Sequence, residues 1–330
     1  MQKENIKTKI IVQNLFSLGS DKKKDKTGFT FIDLFAGIGG TRIGFEKAGG
    51  ECVFTSEWDK YCQETYKANF GEVPYGDITK IKEYEIPNFD VLVAGFPCQP
   101  FSSIGKREGF MHTTQGTLFY DVLRIINHKK NKAFLLENVP GLLTHDNGNT
   151  FKIILDSLKE AGYKVFSKVL DASNFGVPQK RKRIYIVGFR KDLFEGEDFV
   201  FPEGNNKQSF INEHLEDNAL GYSISKHLQK SYLFKKDDGR PIIVDKNSKI
   251  QTKTLVSTYH KIQRLTGTFV KDGETGIRLL TENECKAIMG FPKDFIIPVS
   301  RTQMYRQMGN SVVVPVIEAV AREIENKLKL

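Results

Sequence analysis

Short apolar runs alternate with segments of helical spacing over the first part of the chain. Runs such as residues 91–96 and 134–137 have almost no charge before their last positions, as strands buried on both faces do. Phe151, Ile154, Leu155 and Leu158 instead repeat at the three- and four-residue spacing of one helix face. The alternation predicts an α/β fold with a doubly wound, mostly parallel sheet. Its strands are expected at residues 29–35, 51–56, 91–96, 134–137, 163–171 and 183–189, and its helices at 41–48, 58–69, 118–127 and 151–158.

The pattern changes after about residue 190. From there to about residue 277 the chain is polar, with short strand-like pieces and many Lys, Asn, Asp and Gly residues. A compact pattern resumes at Arg278, and the inner stripe of a C-terminal helix is formed by Ile317, Val320, Ile324 and Leu328. These shifts predict a basic N-terminal arm over residues 1–28, a large domain built from 29–195 and 303–330, and a smaller domain with a hinge over 196–302.

Charge and composition narrow the classes of function. The 330 residues include 49 Lys and Arg against 40 Asp and Glu, a net charge of +9 that suits a polyanionic partner, most often nucleic acid. No apolar run reaches the length of a membrane span and no signal-peptide pattern opens the chain, so we expect a cytoplasmic protein without a membrane partner. The four cysteines form no CxxC pair and the six histidines show no ligand spacing, so we expect no metal.

One thiol and one carboxyl group stand at the ends of two predicted strands. Cys98 follows Pro97 after the apolar run 91–96, and Glu137 ends the run 134–137. In an open α/β sheet, ligands bind and chemistry takes place at the carboxyl ends of the strands. A nucleophile and an acid placed there can face the same substrate. The other three cysteines lack such a partner and are expected to be ordinary buried thiols.

A glycine turn between the first predicted strand and helix favours a nucleotide-type ligand. Gly37 and Gly39 leave room for close approach, and the N-terminus of the following helix offers free N–H groups. A dinucleotide fingerprint would need a third glycine where this chain has Arg42. Such turns are also common as purely structural features, so the glycines alone leave both interpretations open.

Side chains near this turn have the chemistry of a nucleoside pocket. Glu57 ends the second predicted strand about twenty residues after Gly37, where an acid accepts ribose hydroxyl groups. Phe35 and Trp58 have the flat apolar faces that hold an adenine, and Asp77 can accept a bond from its exocyclic amine. Trp58 alone would equally fit an ordinary core aromatic.

Five motifs, taken in order, closely resemble those of the DNA cytosine-5 methyltransferases, and most of all the compact restriction–modification enzymes of bacteria. They are residues 33–40 (DLFAGIGG), 95–99 (GFPCQ), 137–139 (ENV), 179–183 (QKRKR) and 309–313 (GNSVV). The resemblance covers about residues 30–190 and 278–325, and the part between falls where that family keeps its variable target-recognition region. It implies the fold of the S-adenosylmethionine-dependent methyltransferases, with residues 196–302 as the target-recognition domain and hinge.

The same resemblance implies a cofactor, a substrate and residue roles. The cofactor would be S-adenosylmethionine, and the substrate a cytosine flipped out of duplex DNA and methylated at carbon 5. Cys98 matches the nucleophile, Glu137 the acid that holds the cytosine, and the paired arginines of the active site match Arg181 and Arg183. Without the resemblance, these arginines would equally suit a solvated basic face. Positions that match the cofactor pocket are Phe35, Gly37, Gly39, Glu57, Trp58, Asp77, Pro97, Leu118, Asn310 and Ser311.

DNA contacts are expected from the loop that follows Cys98 and from residues 252–264, a polar, basic and turn-rich stretch. Long polar side chains in this stretch suit either base edges in the major groove or phosphates. The expected contacts are Gln99, Ser102, Arg181, Thr254, Leu255, Tyr259, Lys261, Gln263 and Arg264. The target would be a short palindrome such as GGNCC or GGWCC. The enzyme would be a monomer, with a cognate restriction endonuclease as a genetic, not a physical, partner.

Three other functions remain open at this point. An RNA cytosine methyltransferase that acts on tRNA would share most of these motifs, although the long basic insert favours DNA. A nicotinamide-dependent oxidoreductase is disfavoured by the missing third glycine and by the lack of a catalytic Tyr-Lys or His pattern. A DNA-binding module without catalysis is disfavoured by the intact set of Cys98, Glu137 and Arg183.

Overall fold

A six-stranded sheet forms the centre of the computed structural model, which describes residues 28–97, 118–194, 196, 198–205 and 207–329. Most of the predicted N-terminal arm, together with Cys98, Gln99 and Ser102, lies outside the described residues. The strands of the sheet are β1 (Thr30–Leu34), β2 (Glu51–Ser56), β3 (Val91–Ala94), β4 (Ala133–Asn138), β5 (Tyr163–Asp171) and β6 (Lys182–Arg190). They lie within two residues of their predicted positions and in the order β2-β1-β3-β4-β6-β5.

The sheet is parallel over four strands and antiparallel beyond them. β2, β1, β3 and β4 run in the same direction, with Phe31 opposite both Cys52 and Val91. β6 runs antiparallel to both β4 and β5. Residues 172–181, which join β5 to β6, are too few for the crossover that parallel neighbours need. The predicted α/β fold is therefore confirmed, and its sheet is mixed.

Helices cover both faces of the sheet, as a doubly wound fold requires. Buried strand residues alternate between two hydrophobic clusters. Phe31 packs in one with Phe45 and Ile317, whereas Ile32 packs in the other with Val122 and Ile154. The helices are α1 (Gly40–Lys47), α2 (Lys60–Phe70), α3 (Leu118–Lys129), α4 (Asn149–Glu160), α5 (Lys226–Leu228), α6 (Glu282–Met289), α7 (Arg301–Asn310) and α8 (Val314–Leu328). α1 and α8 thus lie on one face, and α3 and α4 on the other.

Helix α2 begins two residues later than predicted because of its N-cap. The Asp59 carboxylate accepts hydrogen bonds of 2.9 Å from the backbone N–H groups of Tyr61 and Cys62. Gly71 ends the helix in the left-handed conformation, with a φ of 74°. Trp58 therefore stands before the helix, in the loop that leaves β2.

Residues from about 199 to 300 form a second region with less regular structure. It contains a two-stranded parallel sheet of β7 (Ile242–Val244) and β8 (Thr268–Val270). Its buried side chains join the hydrophobic cluster on the α1 and α8 face of the main sheet. The boundaries at residues 195 and 303 therefore stay predictions. Within the described ranges, no helix is both long enough and apolar enough to cross a membrane.

Candidate active site

A cleft of about 940 Å³ opens at the carboxyl ends of β1, β2, β3 and β4. The loops that follow these strands line it with Phe35, Glu57, Pro97 and Glu137. Further lining comes from α7, from the loop after it, and from Ser257, Thr258, His260 and Lys261. The volume is in the range of small-molecule sites, and the place is the one where open α/β sheets bind ligands.

The Glu57 carboxylate is held at the end of β2 by two backbone N–H groups. Gly37 donates to Oε2 and Asp59 donates to Oε1, each at 2.8 Å. Burial raises the pKa of Glu57, and the backbone bonds oppose that rise. Gly37 has a φ of +55°, and a Cβ added there would meet nothing within 4 Å. The glycine therefore serves a left-handed turn and leaves the space beside Glu57 open.

Nine of the ten predicted cofactor residues line the cleft, and Gly39 does not. Gly39 precedes α1 with a φ of +87°, and a Cβ added there would lie 2.7 Å from Cζ of Phe70. This glycine is needed for the turn and for close packing against Phe70. Its contact with a cofactor stays a prediction.

Trp58 is 80% exposed at the cleft, so it is not the core aromatic that its sequence alone allowed. Asp77 lies in the same cleft and accepts hydrogen bonds from the Thr79 backbone N–H at 3.1 Å and from the Thr79 hydroxyl at 2.8 Å. Partial burial opposes ionisation of Asp77, but the bonds from Thr79 and Lys80 lower its pKa overall. Asp77 is therefore a hydrogen-bond acceptor at neutral pH.

Glu137 and Arg183 meet between β4 and β6. Nε of Arg183 lies 3.0 Å from Oε1 of Glu137, and both side chains are 16% exposed. A Cβ at Gly95 would stand 3.7 Å from Oε2 of Glu137, so that oxygen faces a position without a side chain. Burial raises the pKa of Glu137, while the charges of Arg183 and Arg181 oppose the rise. The carboxyl group therefore keeps a proton to higher pH than an exposed glutamate does.

Asn138 anchors the chain just before the predicted nucleophile. Its Nδ2 donates to the Phe96 carbonyl at 3.0 Å, and its Oδ1 accepts from the Val139 N–H at 2.8 Å. Both partners sit at strand ends, so one buried amide ties the exit of β3 to the exit of β4. Pro97 lines the cleft directly after this anchor, and Cys98 is the next residue of the chain.

The two predicted active-site arginines have different surroundings. Arg183 contacts Glu137, whereas the guanidinium of Arg181 donates to backbone carbonyls of Leu255, Gly309 and Ser311. Arg181 is 4% exposed, and burial together with the Arg183 charge lowers its pKa to about 10. Nη1 and Nη2 of Arg181 thus both donate to backbone carbonyls of the protein.

Three of the predicted DNA contacts in residues 252–264 point into the protein, and the guanidinium of Arg181, which was also predicted to contact DNA, is bound to backbone carbonyls. Leu255 and Tyr259 are buried, and the Tyr259 hydroxyl donates to the Thr268 carbonyl at 2.6 Å. The Arg264 guanidinium is also buried and binds the Asp238 carboxylate and the carbonyls of Leu233, Lys236 and Arg240. Their side chains close the core of this region, so the expectation that they contact DNA is corrected.

The other predicted contacts in this stretch remain accessible to different degrees. Lys261 is exposed and lines the cleft. Gln263 and Thr254 are half-buried, and the Thr254 hydroxyl donates to the Lys180 carbonyl at 2.8 Å. Of this group, Lys261 is best placed to meet a polyanion.

Polar residues of α7 also line the cleft, and sequence reasoning missed them. They are Gln303, Arg306 and Gln307, which share a helix face with Asn310. Their spacing of three and four residues is the signal that could have found them, because a polar stripe on a helix that ends in a recognised motif marks the face turned to a site. Gln307 is fixed there, since its Oε1 accepts from the Thr65 hydroxyl at 3.0 Å and its Nε2 donates to the Tyr61 carbonyl at 2.8 Å.

Comparisons with solved structures agree on the fold. A crystal structure of a DNMT2 mutant from Spodoptera frugiperda superimposes with a TM-score of 0.72 at 25% identity, covering 91% of this chain and 99% of that chain. The Dnmt2 methyltransferase of S. pombe also has a TM-score of 0.72, at 21% identity, over 91% of this chain and 98% of that one.

Comparisons of sequence are more specific. The model of the C-5 cytosine-specific DNA methylases matches residues 29–326. Type II methyltransferase M.MspI of Moraxella sp is 63% identical over 311 residues, which are 94% of this chain and 74% of that protein. Type II methyltransferase M.BsuFI of Bacillus subtilis is 64% identical over 311 residues, 94% of this chain and 76% of that protein. The chain therefore belongs to the C-5 cytosine-specific DNA methylases and is a sequence-specific DNA cytosine-5 methyltransferase of the restriction–modification type.

Proposed function

We propose that this methyltransferase binds S-adenosylmethionine in the part of the cleft around Glu57 and Trp58, and a flipped-out cytosine beside Glu137. When bound, the cofactor supplies a methyl group on a positively charged sulfur. The residues around Glu57 fit an adenosine. Backbone bonds orient the Glu57 carboxylate while it keeps free lone pairs for the ribose hydroxyls, and Asp77 can accept from the adenine amine. An adenine ring would cover the exposed faces of Trp58.

The nucleophile we propose is Cys98. Carbon 5 of cytosine is a poor nucleophile until electron density is moved onto it. The Cys98 thiolate adds to C6 of the cytosine ring, and the π-electron pair of the C5=C6 bond moves to form a C4=C5 bond. The π-electron pair of the N3=C4 bond then moves onto N3, which takes a proton from Glu137. The C4=C5 pair would then bond the methyl group that the donor supplies, the N3 lone pair would restore the N3=C4 bond, and the pair of the S–CH3 bond would remain on the donor's sulfur. Loss of the C5 proton, which a water molecule can accept, expels the thiolate, and the N3 proton returns to Glu137.

Glu137 is suited to the proton transfer because burial raises its pKa. Arg183, 3.0 Å from Oε1, orients the carboxyl group and has further donors for the 2-oxo group of the base. Gly95 leaves Oε2 unobstructed. The pair is therefore arranged to hold N3, the exocyclic amine and the 2-oxo group of one cytosine at the same time.

Duplex DNA is the proposed substrate form. A stacked cytosine exposes neither face, so the base must leave the helix at a cost of a few kcal/mol. The net charge of +9 and the exposed Lys261 at the cleft favour a polyanion there. We propose that residues 196–302 choose the target, that the enzyme acts as a monomer, and that a cognate endonuclease is only a genetic partner.

The single observation behind this proposal is that Glu137, paired with Arg183, lies in the same cleft as Pro97 and Glu57. Bisulfite sequencing of plasmid DNA from cells that express the protein should report modified cytosines in one sequence context. Cys98→Ser should abolish the modification and the covalent adduct with duplexes containing 5-fluorocytosine, while Cys52→Ser, away from the cleft, keeps both. Near-normal methyl transfer by Cys98→Ser would overturn the mechanism. Methyl transfer to tRNA instead of duplex DNA would overturn the assignment of duplex DNA as the substrate.

A further inference from the structure

His260 stands on a short turn between two neighbours whose side chains point into the protein. The turn is the 3₁₀ segment Tyr259–Lys261, and the Ile262 N–H closes it by donating to the Tyr259 carbonyl at 3.0 Å. Tyr259 is buried, and Ile262 packs against the hydrophobic cluster on the α1 and α8 face of the sheet. His260 and Lys261, between these two, line the cleft. The turn therefore presents two polar side chains to the cleft.

Packing on both sides holds the turn in one shape. The Tyr259 ring stacks on Phe269, with the ring centroids 5.8 Å apart, and meets the edge of Tyr305 at 5.1 Å. Ile262 has a φ of +54°, a left-handed conformation that is strained for a β-branched residue. Such a conformation persists only where the surrounding contacts impose it. A side chain on a base of this kind can be held in the fixed position that reading a DNA base requires.

A backbone bond selects the tautomer of the half-buried His260 ring. Nδ1 lies 3.2 Å from the carbonyl oxygen of Ser257. A carbonyl oxygen can only accept, so Nδ1 carries a proton, and Nε2 of the neutral ring then has a free lone pair. Nε2 has no hydrogen-bond partner among the residues that the structure describes. The neutral ring therefore offers a single acceptor, Nε2, at the cleft.

A single acceptor narrows what DNA can place against it. Phosphate oxygens are acceptors too, so a neutral Nε2 cannot bond them, whereas the ammonium group of Lys261 can. Exocyclic amines of bases are donors, and the major groove shows them at N4 of cytosine and N6 of adenine. Guanine and thymine show only acceptors and a methyl group there. Of the two neighbours, His260 thus fits a base edge and Lys261 fits the DNA backbone.

We propose that His260 determines specificity by accepting a hydrogen bond from the exocyclic amine of one cytosine or adenine in the recognition sequence, at a base other than the methylated cytosine. The inference rests on the proposed function, because it takes the second region to choose the target. At the base that His260 reads, guanine or thymine would place a carbonyl oxygen where the amine stands. Two acceptors would then face each other, and the enzyme should reject that base pair.

Two substitutions separate the roles of the two ring nitrogens. His260→Asn keeps an N–H donor near the place of Nδ1, so it can still bind the Ser257 carbonyl, but it has nothing at the place of Nε2. His260→Gln reaches the place of Nε2 with an amide whose oxygen can accept. Base reading should therefore be lost in His260→Asn and kept in part in His260→Gln. A merely structural role would give the reverse order, because the asparagine is the one that preserves the backbone bond.

The first test measures kcat/KM for a duplex with the context found by bisulfite sequencing and for every single base-pair change of it, at about pH 8, where free histidine is neutral. In His260→Asn, discrimination should fall about tenfold at one base pair and stay natural at the others. His260→Gln should lie between this variant and the natural enzyme. His128→Asn is the matched control, because His128 is exposed in the last turn of α3, and it should keep the whole natural profile.

The second test removes the amine of the base instead of the acceptor of the protein. Cytosines other than the methylated one are replaced one at a time by 2-pyrimidinone, and adenines by purine. At the base that His260 reads, the natural enzyme should lose about tenfold in kcat/KM. His260→Asn should lose nothing further there, because the partner of the amine is already gone. The replaced base that shows this coupling tells cytosine from adenine, and His260→Ala takes the place of His260→Asn if the latter does not fold.

Several results would overturn the inference. One is a natural discrimination profile in His260→Asn, and another is a larger loss in His260→Gln than in His260→Asn. An equal loss on every duplex would make His260 a phosphate contact. Weaker binding of S-adenosylhomocysteine, the demethylated donor, with natural discrimination would place His260 at the donor instead. A natural enzyme that methylates all the duplexes alike would overturn the proposed choice of target by the second region, and the inference with it.

Discussion

The strand ends of the main sheet and the stretch of residues 252–264 use the same kinds of side chain for opposite purposes. At the strand ends, Glu57, Glu137 and Arg183 face the cleft. In the stretch, Tyr259 and Arg264 turn inward and bind backbone carbonyls. The strands of the main sheet pair their backbone groups with one another, whereas a region with little regular structure uses more polar side chains to satisfy its own backbone.

This contrast teaches that polar composition alone does not locate a DNA-facing surface. Arg278 makes the same point, because it is fully buried between Glu284 and Asp272, with Nη2 2.8 Å from Glu284 Oε1. An arginine in this region is as suited to closing the fold as to touching DNA. The hydrogen-bond partners of each guanidinium decide between the two roles.

The largest effect is expected at the strand ends, for Glu137→Gln. Glutamine keeps the shape and can donate a hydrogen bond, but it cannot transfer a proton to N3. Single-turnover methyl transfer should therefore fall by about 10²–10⁴-fold. Glu274→Gln, at an exposed position of the second region, is the matched control and should leave the rate unchanged. A rate for Glu137→Gln within about tenfold of the natural one would contradict the role of the acid.

Glu137→Gln should also change how the rate of methyl transfer depends on pH. Because the pKa of Glu137 is raised, its protonated form persists to higher pH and is lost as the pH rises through that value. Transfer by the natural enzyme should therefore decline on the alkaline side once the Cys98 thiolate is formed. Glu137→Gln has no such proton and should lack that decline. Single-turnover rates of both enzymes, measured over one pH series, test this. The same alkaline decline in both enzymes would contradict the role of the Glu137 proton.

The second largest effect is on stability, for Arg278→Met. Removing the guanidinium leaves Glu284 as a buried charge without its partner, which costs about 3–5 kcal/mol of unfolding free energy. Denaturant unfolding measures the loss. Adding Glu284→Leu to the same chain should recover much of it, because the uncompensated charge is then gone. A single variant as stable as the natural protein would show that the pair is not needed to close this region.

Arg264→Gln should lower the melting temperature without changing DNA affinity of the folded protein. Its guanidinium binds Asp238 at 3.0 Å and the Leu233 carbonyl at 2.9 Å, all within the second region. Thermal unfolding and a fluorescence-anisotropy titration with duplex DNA separate the two properties. Weaker DNA binding at an unchanged melting temperature would restore Arg264 as a DNA contact.

The smallest effect is expected for Lys261→Gln, the counterpart of Arg264 at the cleft. Lys261 is exposed, so stability should be unchanged. If it meets a phosphate, affinity falls about equally for every DNA sequence and the salt dependence loses about one unit of slope. Affinity titrations at several salt concentrations test this. A loss confined to the target sequence would mean that Lys261 contacts a base edge instead.

The sequence predicted the sheet well because buried strands have a strong local signal. The apolar runs before Gly95 and Glu137 placed β3 and β4 within two residues. The resemblance to the family then pointed to nine cofactor-pocket positions that line the cleft, besides Glu137, Arg181 and Arg183. The exposure of Trp58 was harder to predict from the sequence, because it depends on where the N-cap at Asp59 starts α2. The polar stripe on α7 could be read from the spacing of Gln303, Arg306 and Gln307, but none of these residues belongs to a recognised motif.

What the amino-acid order determined by itself was the α/β class, the strand ends at which the chemistry collects, and the set of chemical groups available there. Those properties follow from side-chain period and residue type, which are local. Only the tertiary structure decided that Arg183 binds Glu137 while Arg181 bridges Leu255 and Gly309, and that Tyr259 and Arg264 are buried. These choices depend on contacts between segments far apart in the chain, where backbone carbonyls compete with ligands for the same donors.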